Sequence, residues 1–222
     1  MVSRPVVFLG PSLACDEALE LLPGANFRPP IRRGDLRGLL DTPEAIGIVD
    51  GEFFQSLAIS PKEILPLLQK GVRVYGSSSM GTLRAVELAR YGMTGVGRIF
   101  ELFRSGRLIG EDEVALTFDP ETLRPLSEPL VNMRLALSAA REAGLISLAE
   151  LIGITRRMKA VYFPERTRER LFIEANQRLG EERASAVREW WLRAAPDAKA
   201  EDARMLLRTM AKVVMIEPIA RK

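Results

Sequence analysis

The alternation of short apolar runs with helical patterns in the first half of the chain constrains its fold most. Three of these runs predict buried strands: Arg4–Leu9, Ala45–Val49 and Gly71–Tyr75. A helical pattern follows each run: Leu13–Leu22, a segment from Ser60 onwards, and Thr82–Arg90. This alternation of strands and helices along the chain predicts a parallel sheet core flanked by helices, and therefore an α/β fold.

The second of these helices has several start signals together. Ser60 is a suitable N-cap, Pro61 fits the first helical position, and Glu63 completes a capping box. These signals predict that the helix begins at Pro61.

The strand signal ends in the second half of the chain, after a possible additional strand at Glu113–Phe118. Five segments there have helical patterns: Ser127–Ala143, Leu148–Tyr162, Arg166–Leu179, Glu181–Ala194 and Ala198–Met215. We therefore expect two domains, an α/β core over residues 1–145 and a helical C-terminal region over residues 146–222.

The absence of histidine restricts the chemistry that the chain can perform. None of its 222 residues is histidine, which excludes a Ser-His-Asp or Cys-His arrangement within the chain. With one cysteine and no imidazole, we predict no metal site and no cofactor. Acid–base chemistry must then come from Lys, Asp, Glu, Tyr or water.

Charge and hydropathy indicate the surroundings of the protein. Residues 151–222 carry 16 Lys/Arg against 10 Asp/Glu. The basic residues are interleaved with acidic residues at helical spacing, which favours a solvated or partner-binding surface over a nucleic-acid site. No apolar run approaches the roughly 20 residues of a membrane span, and Met1–Gly10 is too short for a signal peptide. With Cys15 as the sole cysteine, we expect a soluble cytoplasmic protein without a membrane partner.

The turn after the third predicted strand is the sharpest local signal. The run Ser77–Gly81 is close to the G-x-S-x-G nucleophile elbow, with Ser77 in place of the first glycine and Ser79 as the central serine. The amides of Met80 and Gly81 at the helix start would face an oxyanion bound over Ser79. The alternative is that the serines only cap the helix.

Two further residues form a candidate catalytic set with Ser79. Lys62 lies in the first turn of its helix, where the helix dipole disfavours an ammonium, so it could accept the proton of Ser79. A solvated surface lysine is the alternative. Asp50 ends a buried strand and could either orient the lysine or form a turn with Gly51.

Other polar residues near the strand ends have weaker signals. The turn containing Gly10 and Ser12 could supply a second oxyanion donor or be a plain strand-to-helix turn. Arg84 could bind substrate or pair with Glu87. The acidic run Glu111–Glu113 resembles a divalent-cation cluster, but three successive residues cannot all face one ion, so we interpret it as a solvated acidic turn.

Several blocks of the sequence occur in the same order in TfuA-like proteins, and the chain resembles that family over about residues 6–145. The blocks are Val7–Leu13, Pro29-Pro30, Arg33–Leu36, Ile48–Phe53, Lys62–Leu65, Tyr75-Gly76, Ser79–Ala85, Glu87-Leu88, Tyr91–Met93, Gly95–Gly97, Asp112–Ala115, Ser127-Glu128 and Leu130–Asn132. The family usually has histidine at Pro61 and alanine at Ser78, Thr82 and Pro129. The missing histidine leaves Lys62 as the candidate base.

The resemblance implies a function in peptide-backbone thioamidation. TfuA-like proteins accompany YcaO enzymes, which use ATP to activate a peptide amide for attack by sulfur. The resemblance implies that this chain hydrolyses the C-terminal thiocarboxylate of a ThiS-like sulfur carrier, releases sulfide and activates YcaO. In that case the thiocarboxylate carbonyl lies over Ser79, with its oxygen at the Met80 and Gly81 amides. The alternative is a non-catalytic module that docks YcaO and precursor peptide.

Overall fold

The computed structural model describes residues 4–39, 42–53 and 57–216, so residues 1–3 of the predicted N-terminal segment lie outside it. A five-stranded parallel sheet with the order β2-β1-β3-β4-β5 confirms the α/β class. The strands are β1 Val6–Phe8, β2 Asn26–Arg28, β3 Ala45–Ile48, β4 Arg73–Gly76 and β5 Thr94–Gly95.

Helices, loops and short 3₁₀ turns make up the rest of the described fold. The helices are α1 Cys15–Leu21, α2 Pro61–Gln69, α3 Met80–Leu88, α4 Arg98–Arg104, α5 Leu130–Glu142, α6 Leu148–Ala160, α7 Arg168–Leu179, α8 Glu181–Ala194 and α9 Ala198–Ile216. The capping box of α2 is confirmed, since Ser60 and Glu63 bond each other's backbone amides and Pro61 is the first helical residue. Within the described ranges, no helix is long and apolar enough to cross a membrane.

The three predicted strands are confirmed as β1, β3 and β4, whereas β2 and β5 were missed. β2 is a partly exposed edge strand of three residues, and β5 has only two residues. Neither contains the continuous apolar run of a buried strand, so the sequence pattern cannot reveal them. Their pairing with β1 and β4 depends on tertiary contacts.

Successive residues of the central strands face two different hydrophobic clusters. In β1, Val6 and Phe8 belong to one cluster, whereas Val7 belongs to the other. This alternation is the period of two that a strand imposes on its side chains. The sheet is therefore covered on both faces, as a parallel sheet requires.

Helix α9 covers one of these faces. Its residues Leu206 and Met210 are fully buried and join the cluster of Val7. A Cβ at Gly47 in the middle of β3 would lie 2.7 Å from the Met210 sulfur and 3.1 Å from Leu206. Gly47 therefore permits α9 to pack directly against the backbone of the central strand.

The chain forms two compact units. One contains residues up to Ile109 together with residues from Lys199 onwards, and the other contains Gly110–Ala198. This division differs from the expected 1–145 and 146–222. The reason is that α9 buries its apolar face on the sheet, while α5 shares the core of α6, α7 and α8.

The helical unit has its own core and one irregular acidic segment. Trp191 is buried there with its ring edge-on to Phe172, so it packs in the core of this unit. The strand predicted over Glu113–Phe118 is wrong, because Glu111–Glu113 form a 3₁₀ turn and the following residues are irregular. The interpretation as a solvated turn is also wrong for Glu113, which is 1% exposed and bonded to Arg134 and Lys159.

Candidate functional site

The turn between β4 and α3 has a strained backbone. Ser78 has a φ of 58°, in the left-handed region that non-glycine residues rarely adopt. The Ser79 N–H donates to the Ser77 carbonyl at 2.7 Å, which closes a three-residue γ-turn. Such strain persists only where the surroundings enforce it, and it is concentrated at functional sites.

Two glycines bring this turn against the neighbouring strand. A Cβ at Gly81 would overlap the Ile48 carbonyl, and a Cβ at Gly76 would overlap the Gly81 carbonyl. The Gly81 N–H donates to the Val49 carbonyl at 3.3 Å, so this amide is not available as the predicted oxyanion donor. Met80 remains a candidate, because the N–H of the first helical residue has no acceptor within its helix.

The Ser79 hydroxyl bonds a lysine instead of capping the helix. Ser79 is the N-cap residue of α3, but its side chain makes no capping hydrogen bond. Its Oγ lies 3.1 Å from Nζ of Lys199, which donates to it. The structure thus disfavours the capping interpretation and places a lysine on the central serine of the turn.

That lysine is also next to Asp50. Lys199 Nζ lies 3.8 Å from Asp50 Oδ1, and Asp50, Ser79 and Lys199 are each 2% exposed. The three side chains form a buried chain from carboxylate to ammonium to hydroxyl. We call them the Asp50–Lys199–Ser79 chain.

Asp50 is held in place by the turn that follows β1. Its Oδ2 accepts hydrogen bonds from the Gly10 N–H at 2.9 Å and the Ser12 N–H at 3.0 Å, and its Oδ1 accepts from the Ser12 hydroxyl at 2.6 Å. Gly10 and Ser12 therefore orient the carboxylate, and their amides do not form the predicted second oxyanion site. Three donors thus hold the carboxylate of Asp50 in one orientation.

Helix α9 is anchored at the same end by further hydrogen bonds. The Lys199 carbonyl accepts from the Ser78 hydroxyl at 2.8 Å, which couples the strained turn to the start of α9. One turn later, Asp202 accepts from the Arg98 and Ile99 amides, each at 2.8 Å, and so caps α4. Burial raises the pKa of Asp202 to about 6, although the two amides act in the opposite direction.

The remaining predicted residues lie outside this chain. Lys62 is exposed in the first turn of α2, and the lysine beside Ser79 is Lys199 instead. Arg84 is buried and donates a hydrogen bond to Glu87 at 2.5 Å. Of the two interpretations of Arg84, the structure therefore supports pairing with Glu87. Ser77 lies within the turn, with its hydroxyl 3.3 Å from the hydroxyl of Ser78.

Sequence reasoning missed Lys199, although a signal for it exists. Lys199 and Asp202 precede Ala203, Leu206 and Met210 on one face of α9, at spacings of three and four residues. Two charged residues on an otherwise apolar stripe must be buried and paired once the stripe packs on the sheet. The pattern predicts buried charges, but only the fold shows that Asp50 and Ser79 are the partners of Lys199.

Comparison with models of known protein families identifies a match. A family model described as TfuA-like protein matches residues 50–167, which is more than half of the chain. The matched range includes Asp50 and Ser79 and ends before Lys199. A comparison with curated proteins found no match.

Proposed function

The chain belongs to the TfuA-like family, and on that premise we propose that it delivers sulfur by hydrolysing the C-terminal thiocarboxylate of a ThiS-like carrier. The family is associated with YcaO enzymes, and the released sulfide would serve YcaO-dependent thioamidation of a peptide. The observation that carries the hydrolytic proposal is the hydrogen bond between Lys199 and Ser79, with Asp50 beside the lysine.

The proposed reaction uses Ser79 as the nucleophile and Lys199 as the proton carrier. The ammonium of Lys199 first releases a proton to water, and the neutral amine then takes the proton of the Ser79 hydroxyl while Oγ bonds to the thiocarboxylate carbon. The resulting ammonium, stabilised by Asp50, gives its proton to the departing sulfur as the C–S bond breaks. The products of this step are hydrosulfide and an acyl-serine.

A water molecule completes the cycle. Lys199 takes a proton from the water, whose oxygen bonds to the acyl carbon, and returns a proton to Ser79 as the ester bond breaks. The net reaction converts a thiocarboxylate and water into a carboxylate and hydrogen sulfide. The Met80 N–H, at the positive end of α3, is the candidate donor to the oxyanion of both steps.

The burial of the site favours a second candidate function. Since Ser79 and Lys199 are each 2% exposed, a carrier tail reaches Ser79 only after the residues that cover it move. Without such movement the Asp50–Lys199–Ser79 chain ties α9 to the sheet, and the protein acts as a non-catalytic docking module for YcaO and precursor peptide.

Sulfide release from a purified thiocarboxylated carrier tests the hydrolytic proposal. We expect release by the wild type and a loss of about a thousandfold in Ser79→Ala and in Lys199→Met, because removal of a nucleophile or its base has effects of this order. Lys62→Ala is the matched control and should retain activity, since Lys62 is exposed on α2. Undiminished release by folded Ser79→Ala would refute the nucleophile assignment.

The same assay separates the two candidate functions. A wild type that releases no sulfide but stimulates YcaO when sulfide is supplied would be a docking and activating partner. Circular dichroism of each variant shows whether lost activity reflects lost structure.

A further inference from the structure

The helical unit contains a groove that the proposed hydrolysis does not use. Its volume is about 420 Å³, and it is lined by Arg134 of α5 and by residues of α6 that include Leu151, Ile152, Thr155 and Arg156. Ligand sites in proteins commonly have volumes of about 300–1,000 Å³, so the groove has room for a few side chains of a bound segment. We call it the α5–α6 groove.

One residue that lines this groove, Thr155, has a buried hydroxyl. Thr155 is 5% exposed, and its Oγ1 makes no hydrogen bond with any residue that the structure describes. A threonine in a helix usually bonds the carbonyl of the preceding turn. A buried polar atom left unpaired reduces stability, and a ligand with a hydrogen-bonding group would relieve this cost.

The charges around the groove are predominantly positive. The buried Glu113 carboxylate bonds Arg134 at 2.8 and 2.9 Å and Lys159 at 3.2 Å. One carboxylate thus faces two cations, and the guanidinium of Arg156 adds a third cation to the lining. Glu113 also orients the Arg134 side chain through two parallel hydrogen bonds, which is the bidentate geometry of strong arginine–carboxylate pairs.

The groove also has an apolar component. Leu151 and Ile152 line it, and Ile152 is 55% exposed although it is a large aliphatic residue. A nucleic acid would use several spaced cations and aromatic stacking surfaces. Aliphatic side chains next to a small cationic cluster suit a peptide that has both acidic and aliphatic residues.

We propose that the α5–α6 groove binds an acidic peptide segment. An aliphatic side chain of the segment packs on Ile152 and Leu151, its carboxylates pair with Arg156 and Lys159, and one of its polar groups bonds the Thr155 hydroxyl. The binding site lies entirely within the helical unit and does not depend on the chemistry at Ser79.

Fluorescence polarisation of the full chain with a labelled synthetic peptide tests this proposal. The probe is a short peptide of alternating Glu and Leu, and the matched control peptide has Gln at every Glu position. We expect Arg156→Gln to weaken binding about threefold to fivefold and Ile152→Asp to weaken it more, since rim charges contribute modestly and a buried aliphatic contact contributes more. Arg141→Gln, which removes an exposed arginine of α5 that does not line the groove, should leave the affinity unchanged.

Thr155→Val gives a second readout that a purely structural threonine would not produce. The substitution removes the unpaired hydroxyl and keeps the branched shape, so it should raise the thermal midpoint of the free protein by about 3 °C. It should also weaken peptide binding, because the ligand loses its hydrogen bond.

Three outcomes would overturn the proposal. One is equal affinity for the Glu and Gln peptides, and another is unchanged affinity in both Arg156→Gln and Ile152→Asp. The third is displacement of the peptide by a single-stranded RNA oligonucleotide at lower concentration than by unlabelled peptide, which would indicate a nucleic-acid site.

Discussion

The buried ion pair between Lys199 and Asp50 allows a quantitative prediction about folding. At their separation of 3.8 Å, two unit charges attract each other by about 4 kcal/mol at an effective dielectric constant of about 20. Lys199→Met keeps the length of the side chain but leaves Asp50 without its cation. Because Gly10 and Ser12 still donate to that carboxylate, we expect a loss of about 3 kcal/mol, at the low end for a broken buried pair.

The reciprocal change is expected to cost more. Asp50→Asn leaves the Lys199 charge buried, and its amide oxygen replaces only part of the acceptor capacity that Gly10 and Ser12 use, so we expect a loss of about 4–5 kcal/mol. The loss of unfolding free energy in the double variant should be smaller than the sum of the two single losses by at least about 2 kcal/mol. The reason is that the double variant retains no unpaired charge.

Urea unfolding at neutral pH, followed by circular dichroism, measures all four free energies of this cycle. Lys62→Met is the control, since it removes an exposed lysine and should change the free energy of unfolding by less than about 0.5 kcal/mol. If the sum of the two single losses equals the loss in the double variant to within about 0.5 kcal/mol, an energetic coupling between Lys199 and Asp50 is refuted.

Three other perturbations have defined outcomes. Gly81→Ala should abolish folding, because its Cβ would overlap the Ile48 carbonyl. The control Gly38→Ala should be tolerated, since its Cβ would lie 3.6 Å from the nearest atom. Soluble yield and circular dichroism measure both outcomes. Because the pKa of Asp202 is raised to about 6 in the folded state, the folded state binds more protons than the unfolded state between about pH 4 and 6. The contribution of Asp202 to stability therefore falls by up to about 3 kcal/mol as pH rises through this window. Unfolding of Asp202→Asn beside the wild type should therefore show a stability difference that changes in this pH window, and a constant difference would contradict the assignment. Hydrogen bonds from Arg183 and Ser147 lower the pKa of Glu150 to about 2, so its stabilising contribution is present above the ordinary carboxyl pKa and is lost as pH falls towards 2. Glu150→Gln should accordingly be less stable than the wild type at neutral pH, and thermal melts should show this deficit shrinking on acidification.

The predictable parts of the fold are those that depend on neighbours in sequence. The capping box at Ser60 and Glu63 involves residues three positions apart, and β1, β3 and β4 are continuous apolar runs, so local patterns reveal them. The edge strand β2 and the two-residue β5 lack that pattern because pairing, and not composition, makes them strands. Glu113 was misinterpreted for a similar reason, since its cations Arg134 and Lys159 are distant in sequence.

The candidate site was predicted only in part. The strained turn at Ser79 and the position of Asp50 at a strand end follow from local sequence, because a parallel sheet brings the carboxyl ends of its strands to one edge. Lys62 was the lysine predicted beside Ser79, whereas the structure places Lys199 there from a helix 120 residues further along the chain.

The sequence by itself determined the α/β class, the turn that presents Ser79 and the exclusion of histidine chemistry, because these depend on residue type and local spacing. Only the tertiary structure decided which lysine meets Ser79 and which donors hold Asp50. The physical reason is that α9 buries its apolar stripe against Gly47 of the central strand, and this packing carries Lys199 to the strand ends.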